Sequence, residues 1–366
     1  MTKVLMTADA LGGVWTYALD LAWALAPKGV EVTLAVMGRP LSTAQRQDAA
    51  ASPLSAVHER SFALEWMDEP WTDVDRAGDW LLDLEADLRP DVVHLNGYCH
   101  AARTWQAPTV VAAHSCVLSW WWAVHGTEAP PSWSTYRDRV AAGLLAADLV
   151  VAPTAAMLAQ LQRWYGVAHG SVIPNCRRPW WVRPCPKERL VLAVGRIWDE
   201  AKNLSVLDRI AAGVPWPIVV AGDGSHPAGG RRELPAVQAL GPMPFPDLAE
   251  WLLRASVFVL PARYEPFGLA ALEAGLAGCA LVLGDIPSLR EVWGDAATFV
   301  DPDDDRALLA TLAAMTADHA RCARLGARAR ERAQEFGCDR TADCYLAMYD
   351  ALVSGRRDSL TPQGMR

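Results

Sequence analysis

Two doubly wound α/β domains, each built on a parallel sheet, are predicted by three observations. Short apolar runs recur with helical patterns between them, and a proline-rich break interrupts the alternation near residues 171–186. The chain's 366 residues also exceed what one core usually serves. In the first half, Val4 to Thr7 reads as a strand. Val14, Ala18, Leu21 and Leu25 mark one face of a helix, and Val30 to Val36 returns to strand. The runs Asp91-Val-Val-His-Leu, Thr109-Val-Val-Ala-Ala and Asp148-Leu-Val-Val-Ala continue the series, with helices expected over 72–88, 131–146 and 154–164. After the break the alternation restarts with Leu190-Val-Leu-Ala-Val, Ile218-Val-Val-Ala, Ser256-Val-Phe-Val-Leu and Ala280-Leu-Val-Leu. Tyr345, Met348, Tyr349 and Leu352 form the apolar stripe of a last helix, expected to pack across the domain junction. The domains implied are 1–172 and 173–340, with a helix at about 341–356 returning to the first, and 354–366 read as a frayed tail. Such folds bind ligands beyond the carboxyl ends of their strands, so a cleft between the two sheets' carboxyl edges is expected.

Composition narrows the function classes. Half the residues are apolar and no run approaches eighteen apolar residues, while Met1-Thr-Lys-Val-Leu reads as a strand rather than a signal peptide. A cytoplasmic protein is expected. The net charge of −8, with 18 acids against 11 bases in residues 1–170, disfavours nucleic acid and leaves membrane contact at most peripheral. Eight cysteines are scattered without a CxxC pair, which indicates neither zinc nor a disulfide framework but reduced, mostly buried thiols. The run Arg177-Arg178-Pro-Trp-Trp-Val-Arg183 reads as an interdomain linker in preference to a lipid contact. Most of the 17 tryptophans read as core, although Trp120, Trp121, Trp122 and Trp133 could stack on a sugar ring or meet a bilayer interface.

One motif carries more chemistry than the rest. In Glu265-Pro-Phe-Gly-Leu-Ala-Ala-Leu-Glu273, Pro266 suits a first helical position, so Glu265 is expected near the N-cap and Glu273 two turns inside. The amides of Phe267, Gly268 and Leu269 are then expected to point outward as a phosphate site. At 1.5 Å rise per residue the two glutamates lie roughly 12 Å apart along the axis. A glycosidase acid and base flank one bond at roughly 5 to 9.5 Å. The spacing therefore suits two hooks on an elongated ligand. Taken alone, the run is equally compatible with an N-capping Glu and an ordinary helical Glu.

Other groups fall where such a ligand needs them. Leu11-Gly12-Gly13-Val14 follows the first strand and opens the first helix, leaving bare backbone for a phosphate. Val194-Gly195-Arg196 ends the first strand of the second half, and Lys202 follows six residues later. Two cations there could neutralise a departing diphosphate without a metal. Ala221-Gly222-Asp223-Gly224 ends the next strand, and Ile173-Pro174-Asn175 closes the first half.

This set, in this order, resembles the retaining GT-B glycosyltransferases of the family 4 kind, also called glycosyl transferases group 1. The resemblance runs over nearly the whole chain. It is strongest from Val191 to Asp301, through AVGRIWDEAKNL, VVAGDG and RYEPFGLAALEAGLAG. It implies a GT-B fold and transfer of a hexosyl group from a nucleotide-diphosphate sugar, UDP- or GDP-linked, to an acceptor hydroxyl of a glycan, glycolipid or small molecule. No cofactor and no metal are implied. Gly12, Gly13 and the amides of Phe267, Gly268 and Leu269 would hold the diphosphate, with Arg196 and Lys202 supplying charge. Glu265 would take hydroxyls of the transferred sugar and Glu273 those of the ribose. The base would rest against backbone from Gly241 to Met243. His114, in Val-Ala-Ala-His-Ser, matches the family's histidine beside the donor sugar, although a His after an apolar strand is otherwise more often a core residue.

The implied reaction retains anomeric configuration by a front-face displacement, because no carboxylate is placed as a nucleophile in the first half. Orientation and electrostatic stabilisation of the diphosphate would carry catalysis, with domain closure excluding water. The hinge departs from the family's Pro-Asn-Gly-acid pattern: it reads Pro174-Asn175-Cys176-Arg177, and no hinge carboxylate is assigned. His94 and His100 are acceptor-side candidates, and acceptor loops are expected over 38–70 and 116–135. Asp301, Asp303, Asp304 and Asp305 read as a helix cap and first-turn acids rather than a metal motif. A nicotinamide dehydrogenase is disfavoured because Gly12-Gly13 lacks the third glycine of GxGxxG. A sugar-nucleotide epimerase or hydrolase on the same fold is the alternative, and a non-catalytic sugar-binding protein is a third.

Overall fold

A computed structural model describes residues 1–227 and 229–355, so most of the expected tail at 354–366 lies outside the described residues. The chain divides into two compact units. Among the described residues the first comprises 1–121, 127–176 and 338–355, and the second 122–126 and 177–337. Apart from the five residues 122–126, the chain passes between them at 176/177 and 337/338, where the sequence pattern placed 172/173 and 340/341.

The first unit holds β1 (Thr2–Asp9), β2 (Val30–Met37), β3 (Leu54–Glu59), β4 (Val92–Leu95), β5 (Thr109–Ala112), β6 (Leu149–Ala152) and β7 (Ser171–Val172). Its helices are α1 (Gly13–Leu25), α2 (Thr43–Ala51), α3 (Trp71–Leu88), α4 (Val117–His125), α5 (Ser134–Ala146) and α6 (Ala155–Tyr165). All strand pairs are parallel, in the order β3-β2-β1-β4-β5-β6-β7. Alternate residues of β1 serve opposite faces: Val4 and Met6 join the core under α1, and Leu5 joins the core of Trp80 and Leu81 from α3. Both faces are covered, which explains why the strands read as unbroken apolar runs. The stretch expected to be an acceptor loop at 38–70 instead contains α2 and β3, and 116–135 contains α4. The Ser42/Gln45 capping box starts α2.

The second unit holds β8 (Glu188–Val194), β9 (Ile218–Ala221), β10 (Gln238–Gly241), β11 (Ala255–Leu260), β12 (Ala280–Gly284) and β13 (Thr298–Val300). They pair in parallel in the order β10-β9-β8-β11-β12-β13. Between and after them run α7 (Ser205–Ile210), α8 (Phe245–Arg254), α9 (Leu269–Leu276), α10 (Pro287–Trp293), α11 (Asp305–Ala317) and α12 (His319–Gln334). Leu190 and Leu192 of β8 face one core, Val191 and Ala193 the other. Asp304 caps α11 through the Ala307 amide, and Asp303 and Asp305 pair with Arg263 and Arg209, as the helix-cap reading of that acid run requires.

The last helix, α13 (Cys338–Val353), belongs to the first unit and packs against α1. Its stripe of Tyr345, Met348, Tyr349 and Leu352 is buried in the core under β1, each such side chain contributing about 2 kcal/mol. Two hydroxyls sit in that stripe and need partners. Tyr17 donates to the Tyr345 hydroxyl at 2.6 Å, and the Tyr349 hydroxyl meets His94 Nδ1 at 2.7 Å. The start of α13 is tied down by Thr341, whose hydroxyl donates to the Pro174 carbonyl at 3.1 Å, and by a disulfide between Cys176 and Cys338, with Cα atoms 4.9 Å apart. This corrects the expectation of reduced thiols throughout. The other six cysteines are not disulfide-bonded. Among the described residues no helix is long and apolar enough to cross a membrane.

The disulfide closes a loop of 162 residues, so its reduction should lower stability by about 2–4 kcal/mol. Alkylation of denatured, unreduced protein should modify six thiols and should modify eight after dithiothreitol. A count of eight without reductant refutes the pairing.

Candidate functional site

Strand order reverses direction between β1 and β4 in the first unit and between β8 and β11 in the second. In open parallel sheets, ligands bind beyond the carboxyl ends of the strands at these switch points. Several residues singled out by sequence follow these strands: Gly12 and Gly13 after β1, Arg196 and Lys202 after β8, and Glu265 after β11.

In the second unit, β8 runs out into Gly195 and Arg196 and then into a short 3₁₀ turn over Glu200–Lys202. Asp199, almost wholly buried, organises this loop. Its carboxylate accepts from the Ala201 amide at 3.1 Å and from Arg196 Nη2 at 2.6 Å. The Arg196 guanidinium also lies over the Trp198 ring, 5.0 Å from its centre. Asn203 ends the turn in the left-handed region, φ 54°, and its Nδ2 donates to the Pro261 and Pro302 carbonyls. The loop bearing Lys202 is thus pinned to the end of β11.

Past β11, Glu265 is the hub. Lys202 Nζ donates to its Oε2 at 2.5 Å, the Gly268 amide donates to Oε1 at 3.0 Å, and Ser288 Oγ donates to its carbonyl at 2.6 Å. The helix begins later than expected. Pro266 and Phe267 form a bend, Gly268 adopts φ 90°, and α9 starts at Leu269. That backbone suits glycine, and a β-carbon there would meet Leu289 Cδ2 at 3.1 Å. The delay corrects the picture of free amides at this helix end: the Gly268 N–H is taken by Glu265. Phe267 is buried against Phe336 and is a packing residue. Leu269 is partly buried in the same core, and Met243 follows β10 in the segment leading to α8.

Glu273 sits one turn into α9 and is only 7% exposed. Its Oε1 accepts from Arg177 Nε at 2.7 Å, and Arg177 is itself 6% exposed with its guanidinium over the Phe245 ring. The residue read as a linker cation is therefore a buried partner of the proposed ribose hook. No spacing rule links positions 177 and 273; the one sequence signal was the odd hinge Cys176-Arg177.

In the first unit, Gly12 is the N-cap of α1 with φ 79° and ψ −148°, a region open to glycine, and Gly13 is the first helical residue. Four residues on, Tyr17 sets its ring edge-on to His114, with centres 4.5 Å apart. His114 follows β5, is partly exposed, and meets Asn96 Oδ1 through Nε2 at 2.8 Å. Burial pushes its pKa down to about 4. His94 and His100, expected as acceptor-side candidates, are core residues instead. His94 is fully buried between Tyr17 and Tyr349 with its pKa pushed down to about 3, and His100 Nε2 meets the Val74 carbonyl at 3.1 Å. His94 lies within β4 on the face covered by Tyr17 of α1 and Tyr349 of α13, and His100 lies in the short helical turn over Cys99–Ala102 that packs under α5.

Two family models match the chain. The Glycosyltransferase Family 4 model matches residues 11–178, and the Glycosyl transferases group 1 model matches 188–318. The chain is a glycosyltransferase of the GT-B fold, family 4-like. It is similar to a D-inositol 3-phosphate glycosyltransferase of Xylanimonas cellulosilytica, 29% identical, with 94% of this chain and 92% of that protein covered. A glycogen synthase of Mycobacterium tuberculosis is 28% identical, with 95% and 93% covered. Among solved structures, sucrose-phosphate synthase from Thermosynechococcus elongatus superposes with a TM-score of 0.77 at 20% identity, covering 97% of this chain and 100% of that one. Anabaena Alr3699/HepE in complex with UDP gives 0.72 at 14% identity, covering 96% and 100%.

Two outcomes follow for this glycosyltransferase. Arg177→Ala should destabilise the fold by about 3–5 kcal/mol by leaving the Glu273 carboxylate buried without its cation, measured by urea unfolding. A loss below 1 kcal/mol refutes the importance of the pair. The fold holds His94 and His114 neutral, whereas an unfolded histidine protonates near pH 6.5. The unfolded chain therefore binds more protons between pH 6.5 and about 3–4, and stability rises with pH across that window. The thermal midpoint should fall as pH drops from 6.5 toward 4, less steeply in His94→Asn; parallel curves for the two proteins would refute the assignment to His94.

Proposed function

We propose that this glycosyltransferase moves a hexosyl group from a UDP- or GDP-linked sugar to an acceptor hydroxyl with retention of anomeric configuration and without a metal. The observation that carries the proposal is the Lys202–Glu265–Gly268 cluster beyond β8 and β11. It puts a cation, a carboxylate and a helix-end amide within hydrogen-bonding reach of one another. A diphosphate would take Lys202 and the Gly268 and Leu269 amides, with Arg196 adding charge on the leaving group. Freed of those partners, Glu265 would accept from hydroxyls of the transferred sugar. Glu273, oriented by Arg177, would accept from the ribose hydroxyls, with the base along Gly241 to Met243. On the first unit, Gly12 and Gly13 would admit the phosphates and His114 would stand beside the sugar.

Retention by front-face displacement is favoured by how the carboxylates near the first unit's edge are engaged. Asp9 accepts from the Leu11 amide at 2.7 Å, and Glu65 accepts from the Tyr98 and Cys99 amides. Both serve as loop caps rather than as poised nucleophiles. The leaving phosphate would accept the acceptor's proton, and rate would come from orientation and electrostatics. UDP is preferred as the first donor to test because structures similar to this one, such as Alr3699/HepE, are described with UDP and UDP-glucose.

Thermal-shift measurements with UDP, GDP and ADP should show one nucleotide raising the midpoint, by mass action. With the matching sugar donor and an acceptor panel, Glu265→Ala should reduce transfer by about 100-fold or more while the protein stays folded. Arg196→Ala and Lys202→Ala should each weaken diphosphate binding, and chelation should leave turnover intact. Normal turnover in Glu265→Ala refutes the sugar contact; loss of activity with chelator refutes metal independence; release of an isomerised nucleotide sugar would indicate an epimerase.

A further inference from the structure

We propose that Asn96 is a positioning residue that fixes the proton of His114 on Nε2 and so presents Nδ1 as a hydrogen-bond acceptor for a hydroxyl of the substrate. The inference deepens the assignment of His114 to the reaction centre and rests on it.

Asn96 follows β4, and β1 holds it twice. Its amide N–H donates to Thr7 Oγ1 at 2.8 Å, and its Nδ2 donates to the Thr7 carbonyl at 2.6 Å. A carbonyl can only accept, so the side-chain NH2 must face β1. The amide's orientation is thereby settled, and Oδ1 is the atom turned to His114 at 2.8 Å. Oδ1 in turn can only accept. The contact requires a proton on Nε2. A neutral imidazole carries one proton, so Nδ1 holds a lone pair and cannot donate.

The surroundings keep the ring neutral. Burial disfavours its imidazolium; from α1 the Tyr17 ring meets it edge-on, from β4 comes only the uncharged His94, and from the segment after β4 Asn96 offers an uncharged oxygen. Among the described residues no carboxylate or guanidinium contacts the ring, and Nδ1 has no hydrogen-bond partner. His114 is partly exposed, beyond the carboxyl end of β5 and beside the switch point. An acceptor-only nitrogen there selects a ligand atom bearing a proton, such as a sugar hydroxyl, and repels a phosphate or carbonyl oxygen. It also supplies no proton to the leaving group, which suits a displacement in which the diphosphate takes the acceptor's proton itself.

The test is ¹⁵N-histidine labelling of the full chain, with His114→Gln identifying the ring's signals. Near neutral pH the wild-type ring should show a protonated Nε2 and a bare Nδ1. Asn96→Ala should give signals averaged between the two tautomers. Asn96→Asp should keep the proton on Nε2 but raise the ring's protonation midpoint by about 1–3 pH units, since a carboxylate stabilises the imidazolium. A wild-type ring protonated on Nδ1, or unchanged ring signals in both Asn96 variants, overturns the proposal. UDP release from UDP-glucose on the same samples should fall about tenfold in Asn96→Ala. If wild-type protein turns over no UDP-glucose while the ring signals behave as stated, UDP-glucose is ruled out as the donor and the role of Asn96 stands.

Discussion

Within each sheet the strands are parallel and both faces are covered by helices, so a polar side chain placed along a central strand would be buried. Groups that do chemistry are thereby displaced to the segments that follow the strands. The residues proposed for the site, Asn96, His114 and Gly12 in one unit and Arg196, Lys202 and Glu265 in the other, obey that constraint. The strand order then concentrates them, because helices leave the sheet to opposite sides where the order reverses, and open the crevice between. His94 shows the converse. It lies within β4 rather than after it, and it is fully buried, held by tyrosines and kept uncharged.

The charged groups of the second unit are mutually satisfied: Lys202 with Glu265, Arg196 with Asp199, Arg177 with Glu273. On the proposed reading, diphosphate binding would be an exchange of partners, in which a phosphate would have to be a better partner for Lys202 than a carboxylate is. The arrangement keeps long side chains ordered before a ligand arrives, and this lowers the entropy cost of binding. It also discriminates, since a neutral ligand that displaced Glu265 from Lys202 would leave a cation without compensation.

What could be read from sequence divides along physical lines. Central strands such as β1 and β8 were legible because burial on both faces writes a continuous apolar run. The edge strands β3, β10 and β13 are half-exposed and carry no such signal, and β7 has two residues. The Glu265–Glu273 spacing was legible, but the late start of α9 was not, because it depends on the left-handed backbone at Gly268. Arg177, Asn96 and the Cys176–Cys338 pair stayed hidden for a common reason: each matters through a partner on another element, which only the tertiary fold brings near. The tyrosines of α13 were visible as a stripe, whereas their hydroxyl partners Tyr17 and His94 were not.

The first unit is interrupted rather than consecutive. Its final helix is encoded after the whole of the second unit, and the two cysteines that bracket this excursion have Cα atoms 4.9 Å apart. During synthesis the second unit can complete its core first, while the pocket awaiting Tyr345 and Tyr349 stays open and His94 remains wet. The first unit is therefore the last part of the molecule to mature. A fragment ending at residue 176 lacks one wall of its own core, and a ribosome that stalls late in the gene leaves a product whose second half is whole and whose first half is not.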